Sequence, residues 1–220
     1  MNTKRIIFWV SFIIVLGLIV WGLIVAMNKD PNRLTKSLVP AEVTSLDHIR
    51  GNIDAPVTLI EYEDFQCPAC AVYFPVIEKV FNESSTTLRM VFRHFPLLQH
   101  PNAIPAATAA EAATNQGKFW QMYSLIYANQ SDWAEKSNSE AEAIFDGYAG
   151  SLGMDLAMFK SDRVSSSTLA KVTAQQQESV KIGIDHTPTF FINGKEVNSE
   201  SYSYEEIKKL VDEAASSTIQ

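Results

Sequence analysis

The only two cysteines of this 220-residue chain are separated by two residues, in the stretch EYEDFQCPACAVYF, residues 61–74. The preceding segment APVTLIEY, residues 55–62, is β-branched and apolar without a helical period, which predicts a buried strand. The following segment PACAVYFPVIEKVF, residues 68–81, predicts a helix. Pro68 suits its first turn, because the N–H group that proline lacks would have no intrahelical partner there. The pair is therefore predicted where a buried strand leads into a helix N-terminus.

A cysteine at a helix N-terminus is expected to be reactive. The unpaired backbone N–H groups at that end carry a partial positive charge, which stabilises a thiolate at Cys67. Thiols of Cys-x-x-Cys pairs in such places have pKa values of roughly 3.5–7.5, against about 8.5 for a free cysteine. Cys70 lies one turn further along the same face, so Cys67 would exchange with substrate and Cys70 would resolve the mixed disulfide. The pattern predicts a redox-active Cys67–Cys70 disulfide and requires no other cofactor.

Three other uses of the cysteine pair fit the sequence less well. A structural disulfide would more often close a long loop. A zinc site needs about four ligands, and besides the cysteines the chain has only four histidines without a second close pair. Two inert buried thiols would not favour a helix start. We therefore expect redox chemistry, no metal, and an oxidising compartment outside the cytosol if the protein is an oxidant.

Two further positions are candidates for the site. Glu61 lies six residues before Cys67, on the predicted strand, where a buried carboxylate could relay protons during exchange. The alternative is a surface acid beside its acidic neighbours. In the segment HTPTFF, a cis Thr187–Pro188 bond would present the Thr187 backbone to an extended peptide. The local sequence alone favours the alternative, a trans proline that opens a strand.

The rest of the domain alternates strands with helices. The predicted elements are a strand at 88–95, helical segments over about 101–182, a hairpin at 187–197 and an amphipathic helix at 202–216. Asn193-Gly194 is typical of a two-residue hairpin turn. This order predicts an α/β fold with a mixed sheet covered on both faces. The block at 101–182 is too long for a simple crossover and is predicted to be a helical insertion.

The N-terminal segment is a long apolar stretch, unlike the rest of the chain. Residues 6–27 contain no charged residue, and as a helix this segment would reach roughly 33 Å, enough to cross a hydrocarbon core. A signal peptide has a shorter apolar region of about 7–15 residues, and no clear small-x-small cleavage site follows here. We expect one transmembrane anchor, or a signal peptide if the chain is cleaved near Ala26.

The anchor sets the expected domain organisation. Residues 1–5 would be cytoplasmic, 28–44 a linker, 45–216 the domain and 217–220 a tail. Basic residues flank the apolar segment on both sides, so their count does not set its orientation. The cysteine chemistry favours a single-pass protein of the cell membrane with its catalytic domain on the extracytoplasmic side, or a secreted protein after cleavage.

The charge of the domain argues against nucleic acid as a partner. Residues 1–33 contain four basic groups and one acidic group of the chain's 18 and 25. The remainder therefore carries a net charge of −10. A surface of that sign repels phosphate backbones and anionic lipid headgroups.

Five segments, DFQCPAC, HPNA, QGKFWQMY, GYAGSLGMD and GIDHTPTFFINGKEV, together resemble the DsbA-like thiol–disulfide oxidoreductases of the thioredoxin fold, in their membrane-anchored bacterial branch. The resemblance covers about residues 45–216. It implies a thioredoxin-like core with a helical insertion. By motif position, Cys67 would be the nucleophile, Cys70 the resolving thiol and Glu61 the acid beneath the site. It also implies a cis Thr187–Pro188 bond.

Two positions depart from this family. The dipeptide between the cysteines is Pro68-Ala69, whereas the strongest oxidants of the family have Pro-His. Without that histidine one donor to the thiolate is lost, so we expect a weaker oxidant. His186 precedes Thr187 at a position where the family often has a small residue. It could approach Cys67 as part of the substrate-binding loop, or it could be an exposed loop histidine.

The resemblance also implies partners. The protein would donate its disulfide to reduced or unfolded exported proteins and be recharged by a membrane redox partner of the DsbB or VKOR type. Two alternatives stay open at this point. One is a reductase or isomerase that a membrane partner keeps reduced, and the other is a non-catalytic chaperone or binding module on the same fold.

Overall fold

A computed structural model describes residues 9, 12, 14–18, 21, 40–198 and 202–218. The chain divides into two units, residues 1–37 and 38–220. The described residues of the first unit are helical. The rest of the predicted anchor at 6–27, the predicted cytoplasmic residues 1–5 and most of the predicted linker lie outside the described residues. Within the described part of the chain, we find no helix with both the length and the apolar character of a membrane span.

A five-stranded sheet forms the centre of the second unit, in the order β1-β3-β2-β4-β5. Its strands are β1 (His48–Arg50), β2 (Val57–Glu63), β3 (Leu88–His94), β4 (Thr189–Ile192) and β5 (Lys195–Glu196). Strands β2 and β3 are parallel, and the other neighbouring pairs are antiparallel. The predicted strands and the predicted hairpin are confirmed. Strand β1 was not predicted, because three residues are too few to show an alternating pattern.

The helices lie where the sequence predicted them. Helix α1 (Pro68–Glu83) connects β2 to β3, and α8 (Tyr204–Thr218) closes the chain, two residues beyond the predicted end. Between β3 and β4 lies the helical insertion, whose helices are α2 (Ala103–Thr114), α3 (Phe119–Ala128), α4 (Gln130–Trp133), α5 (Asn138–Ser151), α6 (Leu156–Arg163) and α7 (Ser166–Ile182). The mixed α/β sheet with a helical insertion is therefore confirmed.

Both faces of the sheet are covered by apolar side chains. On one face, Val57 and Leu59 of β2 pack against α1 and α8. Further along the same face, Phe92 packs against α1 and the Ala-rich helix α2 of the insertion. The opposite face buries Ile60 and Tyr62. Because side chains alternate along a strand, Glu61 and Glu63 follow Val57 and Leu59 on the first face and point into a covered interior.

A glycine just after β1 fits a narrow space. Gly51 has φ +96°, and a Cβ added there would lie 2.8 Å from the Leu88 carbonyl oxygen and 3.1 Å from the Phe81 ring. That region of backbone space favours glycine, and a carbonyl oxygen of β3 cannot move without disturbing the sheet. A side chain at this position therefore adds a steric clash to the backbone strain.

Gly51→Ala should lower the free energy of unfolding by more than about 2 kcal/mol, as strain and overpacking together predict. Gly117→Ala is the matched control: its φ is +67°, and no described atom lies within 4 Å of the added Cβ. It should cost only about 1 kcal/mol of backbone strain. Urea unfolding of the two oxidised variants measures the difference. Equal losses would show that the contact with β3 does not matter.

Candidate active site

Cys67 stands at the N-cap of α1, as the sequence predicted. Its backbone is extended, with φ −65° and ψ 122°, and Pro68 is the first residue of the helix. The Cys67 side chain is largely buried, and Cys70, one turn further, has no exposed surface. The two thiols are not joined in a disulfide. The structure therefore describes the reduced dithiol.

The pKa values of the two thiols are shifted in opposite directions. The hydrogen bond from the Cys70 thiol, supported by the backbone N–H groups of Ala69 and Cys70, outweighs burial and lowers the pKa of Cys67 to about 5. Burial raises the pKa of Cys70 well above its ordinary value, and the hydrogen bond to Cys67 and the charge of Glu63 raise it further. At neutral pH the reduced site therefore holds a thiolate at Cys67 and a thiol at Cys70.

The loop before β4 completes the mouth of the site. The Thr187–Pro188 peptide bond is cis, as the resemblance implied. The Thr187 carbonyl oxygen lies 3.5 Å from the Cys67 sulfur, across 120 residues of sequence. Tyr202 donates a hydrogen bond of 3.3 Å to the Pro188 carbonyl oxygen. The structure thus brings together the predicted Cys67, Thr187 and Pro188.

The other three predicted residues near the cysteine pair differ in exposure. The His186 side chain is 49% exposed, and its Nδ1 lies 3.0 Å from the Asp185 carboxylate. This placement matches the alternative of an exposed loop histidine. Between the cysteines, Pro68 is exposed, while Ala69 is partly buried against the apolar core that the insertion forms.

The helical insertion fixes the backbone around Cys67. Gln130 of α4 donates hydrogen bonds to the carbonyl oxygens of Phe65, at 2.7 Å, and Cys67, at 3.0 Å. Gln66 donates to the Ala134 carbonyl oxygen at 2.6 Å. Sequence reasoning missed this role of Gln130, because the residue lies 63 positions from Cys67 and no local pattern marks it.

Asp64 ties the same loop to the segment after β3. Its buried carboxylate accepts hydrogen bonds from the backbone N–H groups of Gln66, at 2.7 Å, and Leu97, at 2.9 Å. The imidazole of His100 lies 2.6 Å from the same carboxylate. Burial raises the pKa of Asp64, while these hydrogen bonds oppose that effect. Asp64 therefore positions the loop that leads into Cys67.

Glu61 is fully buried, which excludes the alternative of a surface acid, and Glu63 is buried beside it. None of the described residues satisfies hydrogen-bond geometry with their carboxyl oxygens. Burial raises the pKa of Glu61 well above its ordinary value, and the charges of Glu63 and Glu78 contribute further. Burial also raises the pKa of Glu63, to about 8, and here the charge of Cys67 contributes. The charges of Glu63 and the cysteines thus raise one another's pKa, an interaction that the sequence did not predict.

Comparison with known proteins agrees with this geometry. A family model described as Thioredoxin matches residues 44–213. Wolbachia pipientis alpha-DsbA1 is 18% identical, with a TM-score of 0.70 over 84% of this chain and 98% of that one. Oxidised BdbD from Bacillus subtilis is 22% identical, with a TM-score of 0.69 over 81% of this chain and 97% of that one.

Curated relatives include the Na(+)/H(+) antiporter NhaA 1 of Mycolicibacterium gilvum. It is 38% identical over an alignment of 178 positions, which covers 74% of this chain and 27% of that protein. This chain thus spans only about a quarter of the length of the curated relatives that it matches.

The fold and the site define a thioredoxin-fold protein with a cysteine pair at the start of its first helix after β2. The chain belongs to the thioredoxin family, and its fold is that of the DsbA-like thiol–disulfide oxidoreductases, as the sequence motifs indicated.

The acidity of Cys67 should depend on the thiol of Cys70. In Cys70→Ala the donor is lost, so the pKa of Cys67 should rise from about 5 by at least one pH unit, as expected for a hydrogen bond to a charged group. Cys70→Ser is the matched control, because its hydroxyl keeps a donor at the same place. Thiolate absorbance against pH measures both values, and identical titrations of the two variants would contradict this assignment.

Proposed function

We propose that this protein is a thiol–disulfide oxidoreductase that acts outside the cytoplasm and donates the Cys67–Cys70 disulfide to reduced or unfolded exported proteins. The observation that supports this proposal most directly is the difference in acidity between the two thiols. A stabilised Cys67 thiolate favours the reduced form of the pair, and a pair whose reduced form is stable gives up its disulfide readily.

The first step is attack by a substrate thiolate on the Cys67 sulfur of the oxidised pair. A bond forms between the substrate sulfur and Cys67, and the bond between Cys67 and Cys70 breaks. The electron pair leaves with Cys70. Because the Cys70 site is buried and disfavours an anion, this sulfur must gain a proton as it leaves.

The second step releases the product. A second substrate thiolate attacks the substrate sulfur of the mixed disulfide, and Cys67 departs with the electron pair. It needs no proton at neutral pH, since its pKa is about 5. A leaving thiol of low pKa departs faster. The substrate gains a disulfide, and the protein is left as the reduced dithiol.

The buried acids support the first step. Burial is the largest cause of the raised pKa of Glu63 and acts whether or not Cys67 is charged, so this carboxyl group can keep a proton and give it to Cys70 as the disulfide opens. Glu61 lies two residues earlier on the same face of β2 and is also buried, so it is the neighbouring acid of Glu63. In this proposal Glu63 takes the role that the sequence had suggested for Glu61.

The location and the partners in this proposal come from the sequence and the family. Residues 6–27 would anchor the protein to the cell membrane, or the domain would be secreted after cleavage. A membrane protein of the DsbB or VKOR type would restore the disulfide. The cis Thr187–Pro188 bond, which lies beside the Cys67 sulfur, suits an extended substrate peptide at this place. The name antiporter describes the much longer relatives, and ion transport is not part of the proposal.

The direction of transfer is tested by the reduction potential in a glutathione series. We expect a value well above that of thioredoxin, about −270 mV. A value near thioredoxin's would contradict the oxidase direction and favour a reductase or isomerase that a membrane partner keeps reduced.

Cys67→Ser should abolish oxidation of a reduced substrate protein, because it removes the sulfur that the substrate attacks. Cys70→Ser should instead accumulate mixed disulfides through Cys67, visible as shifted bands on non-reducing gels. A Cys67→Ser variant that keeps the activity of the parent in cells would indicate a chaperone or binding module rather than an enzyme.

Glu63→Gln should slow mixed-disulfide formation at pH 6–7 by about 10²-fold, the usual contribution of a general acid. The rate of the parent protein should fall with rising pH as Glu63 loses its proton, at a pH below the value of about 8 that applies when Cys67 is charged, and the variant should lack that decline. Stopped-flow mixing with a small thiol that is already ionised at pH 6 removes the substrate's own pH dependence.

Glu61→Gln is the matched control for this prediction, since it changes the neighbouring buried carboxyl on the same strand. It should slow the reaction much less than Glu63→Gln. A larger loss in Glu61→Gln would assign the proton to Glu61 and contradict the role proposed for Glu63.

A further inference from the structure

A second group of buried ionisable side chains lies apart from the cysteine pair. His48 of β1, His94 of β3 and Glu111 of α2 are all buried, and one ligand atom of each lies within 4.8 Å of the others. Oxygen Oε1 of Glu111 is 2.7 Å from Nε2 of His48 and 2.9 Å from Nε2 of His94. Three elements that are distant in sequence thus direct two imidazole nitrogens and a carboxylate to one point.

The contacts around His48 cannot all be hydrogen bonds. Its Nε2 lies 2.7 Å from Glu111 Oε1, where it would have to donate a proton. The same atom lies 2.9 Å from the ammonium group of Lys171, where it would have to accept one. A ring nitrogen either carries a proton or offers a lone pair. One of the two contacts is therefore unfavourable in a buried place.

We propose that His48, His94 and Glu111 bind one divalent transition-metal ion of the Zn²⁺ class. Two imidazole nitrogens and one carboxylate oxygen are a donor set that Zn²⁺ accepts, with a fourth position left for water. An ion at this point meets lone pairs of both histidines and an oxygen of Glu111, so the conflict at His48 disappears.

The geometry needs only a local adjustment. Ligand atoms about 2.0–2.2 Å from a tetrahedral ion are roughly 3.3–3.6 Å apart. His48 and Glu111 would therefore separate by several tenths of an ångström from their present 2.7 Å. The ammonium of Lys171, which is also 2.9 Å from Glu111 Oε2, would move away from the carboxylate.

Lys171 also lies where a metal ion from solvent could reach the three proposed ligands. Its side chain is 29% exposed, and it lines a cavity of about 470 Å³. Three acids, Glu42, Asp47 and Glu178, line this cavity together with the basic Lys171 and Arg93. The excess of negative charge favours entry of a cation, and a long lysine side chain can swing outward into the cavity.

Bound there, the ion would join the sheet to the helical insertion. Its ligands come from β1 and β3 on one side and from α2 on the other. Because the ion binds the folded chain, its addition should raise the melting temperature. The sequence alone led us to expect no metal, because it showed only the cysteines and histidines and not the approach of Glu111.

The test uses the full-length chain without a histidine tag, in its oxidised form, so that Cys67 and Cys70 cannot act as thiolate ligands. After treatment with a chelator, the protein is titrated with Zn²⁺ as the only probe, by calorimetry and elemental analysis. We expect one ion per chain. Glu111→Gln and His94→Gln should each weaken binding at least tenfold, whereas His186→Gln, at an exposed histidine, should leave it unchanged.

Lys171→Met separates a metal site from a purely electrostatic cluster. It removes the ammonium that competes for Glu111 and His48, so the affinity for Zn²⁺ should rise severalfold and Zn²⁺ should raise the melting temperature further. Should Glu111→Gln fail to fold, His94→Gln and Lys171→Met still decide the question. Absence of one-to-one binding in both the parent chain and Lys171→Met, or equal losses in His94→Gln and His186→Gln, would overturn the proposal.

Discussion

The site depends on a negative charge held on the Cys67 sulfur in largely apolar surroundings. Each pH unit by which a pKa falls corresponds to about 1.4 kcal/mol, and a helix N-terminus contributes about 0.3–2 kcal/mol. The change from 9.0 to about 5 therefore needs more than the helix end, and the Cys70 thiol is the main additional donor. Everything that fixes the first turn of α1, including the bonds from Gln130, preserves this arrangement, and the Thr187 side chain helps to lower the pKa of Cys67.

Strand β2, which leads into Cys67, also holds two acidic residues whose burial is unfavourable. On this face of β2, Val57 and Leu59 stabilise the fold by packing apolar side chains against α1 and α8. Glu61 and Glu63 occupy the next two places on that face, where burial raises the pKa of both despite the nearby Tyr127 hydroxyl group. Burial of ionisable carboxyl groups is unfavourable. In the proposed mechanism, a buried carboxyl group that supplies a proton to the departing Cys70 sulfur gives a functional reason for this unfavourable burial.

Local patterns in the sequence were enough for strands β2 to β5, the helical insertion, the Asn193-Gly194 turn and the position of the cysteines, because each depends on neighbours in the chain. The cis bond before Pro188 required the family motif. What local patterns missed depends on pairing between distant segments: strand β1, the support from Gln130, and the approach of Glu111 to two histidines. The burial of Glu63 was accessible through alternation along β2, but alternation alone does not tell which side of a strand is covered.

The dipeptide between the cysteines shows that the pKa of Cys67 cannot be read from the Cys-x-x-Cys motif alone. It also depends on contacts between distant segments. Pro68-Ala69 lacks the histidine of the strongest oxidants, and from the motif alone a less acidic thiol is expected at Cys67. In the folded chain Ala69 packs its methyl group against the insertion and gives its backbone N–H to the site. The low pKa of Cys67 is reached without an imidazole. The acidity of Cys67 therefore depends on the Cys70 thiol, the Thr187 side chain and the backbone of the first turn of α1, which Gln130 of the insertion helps to hold.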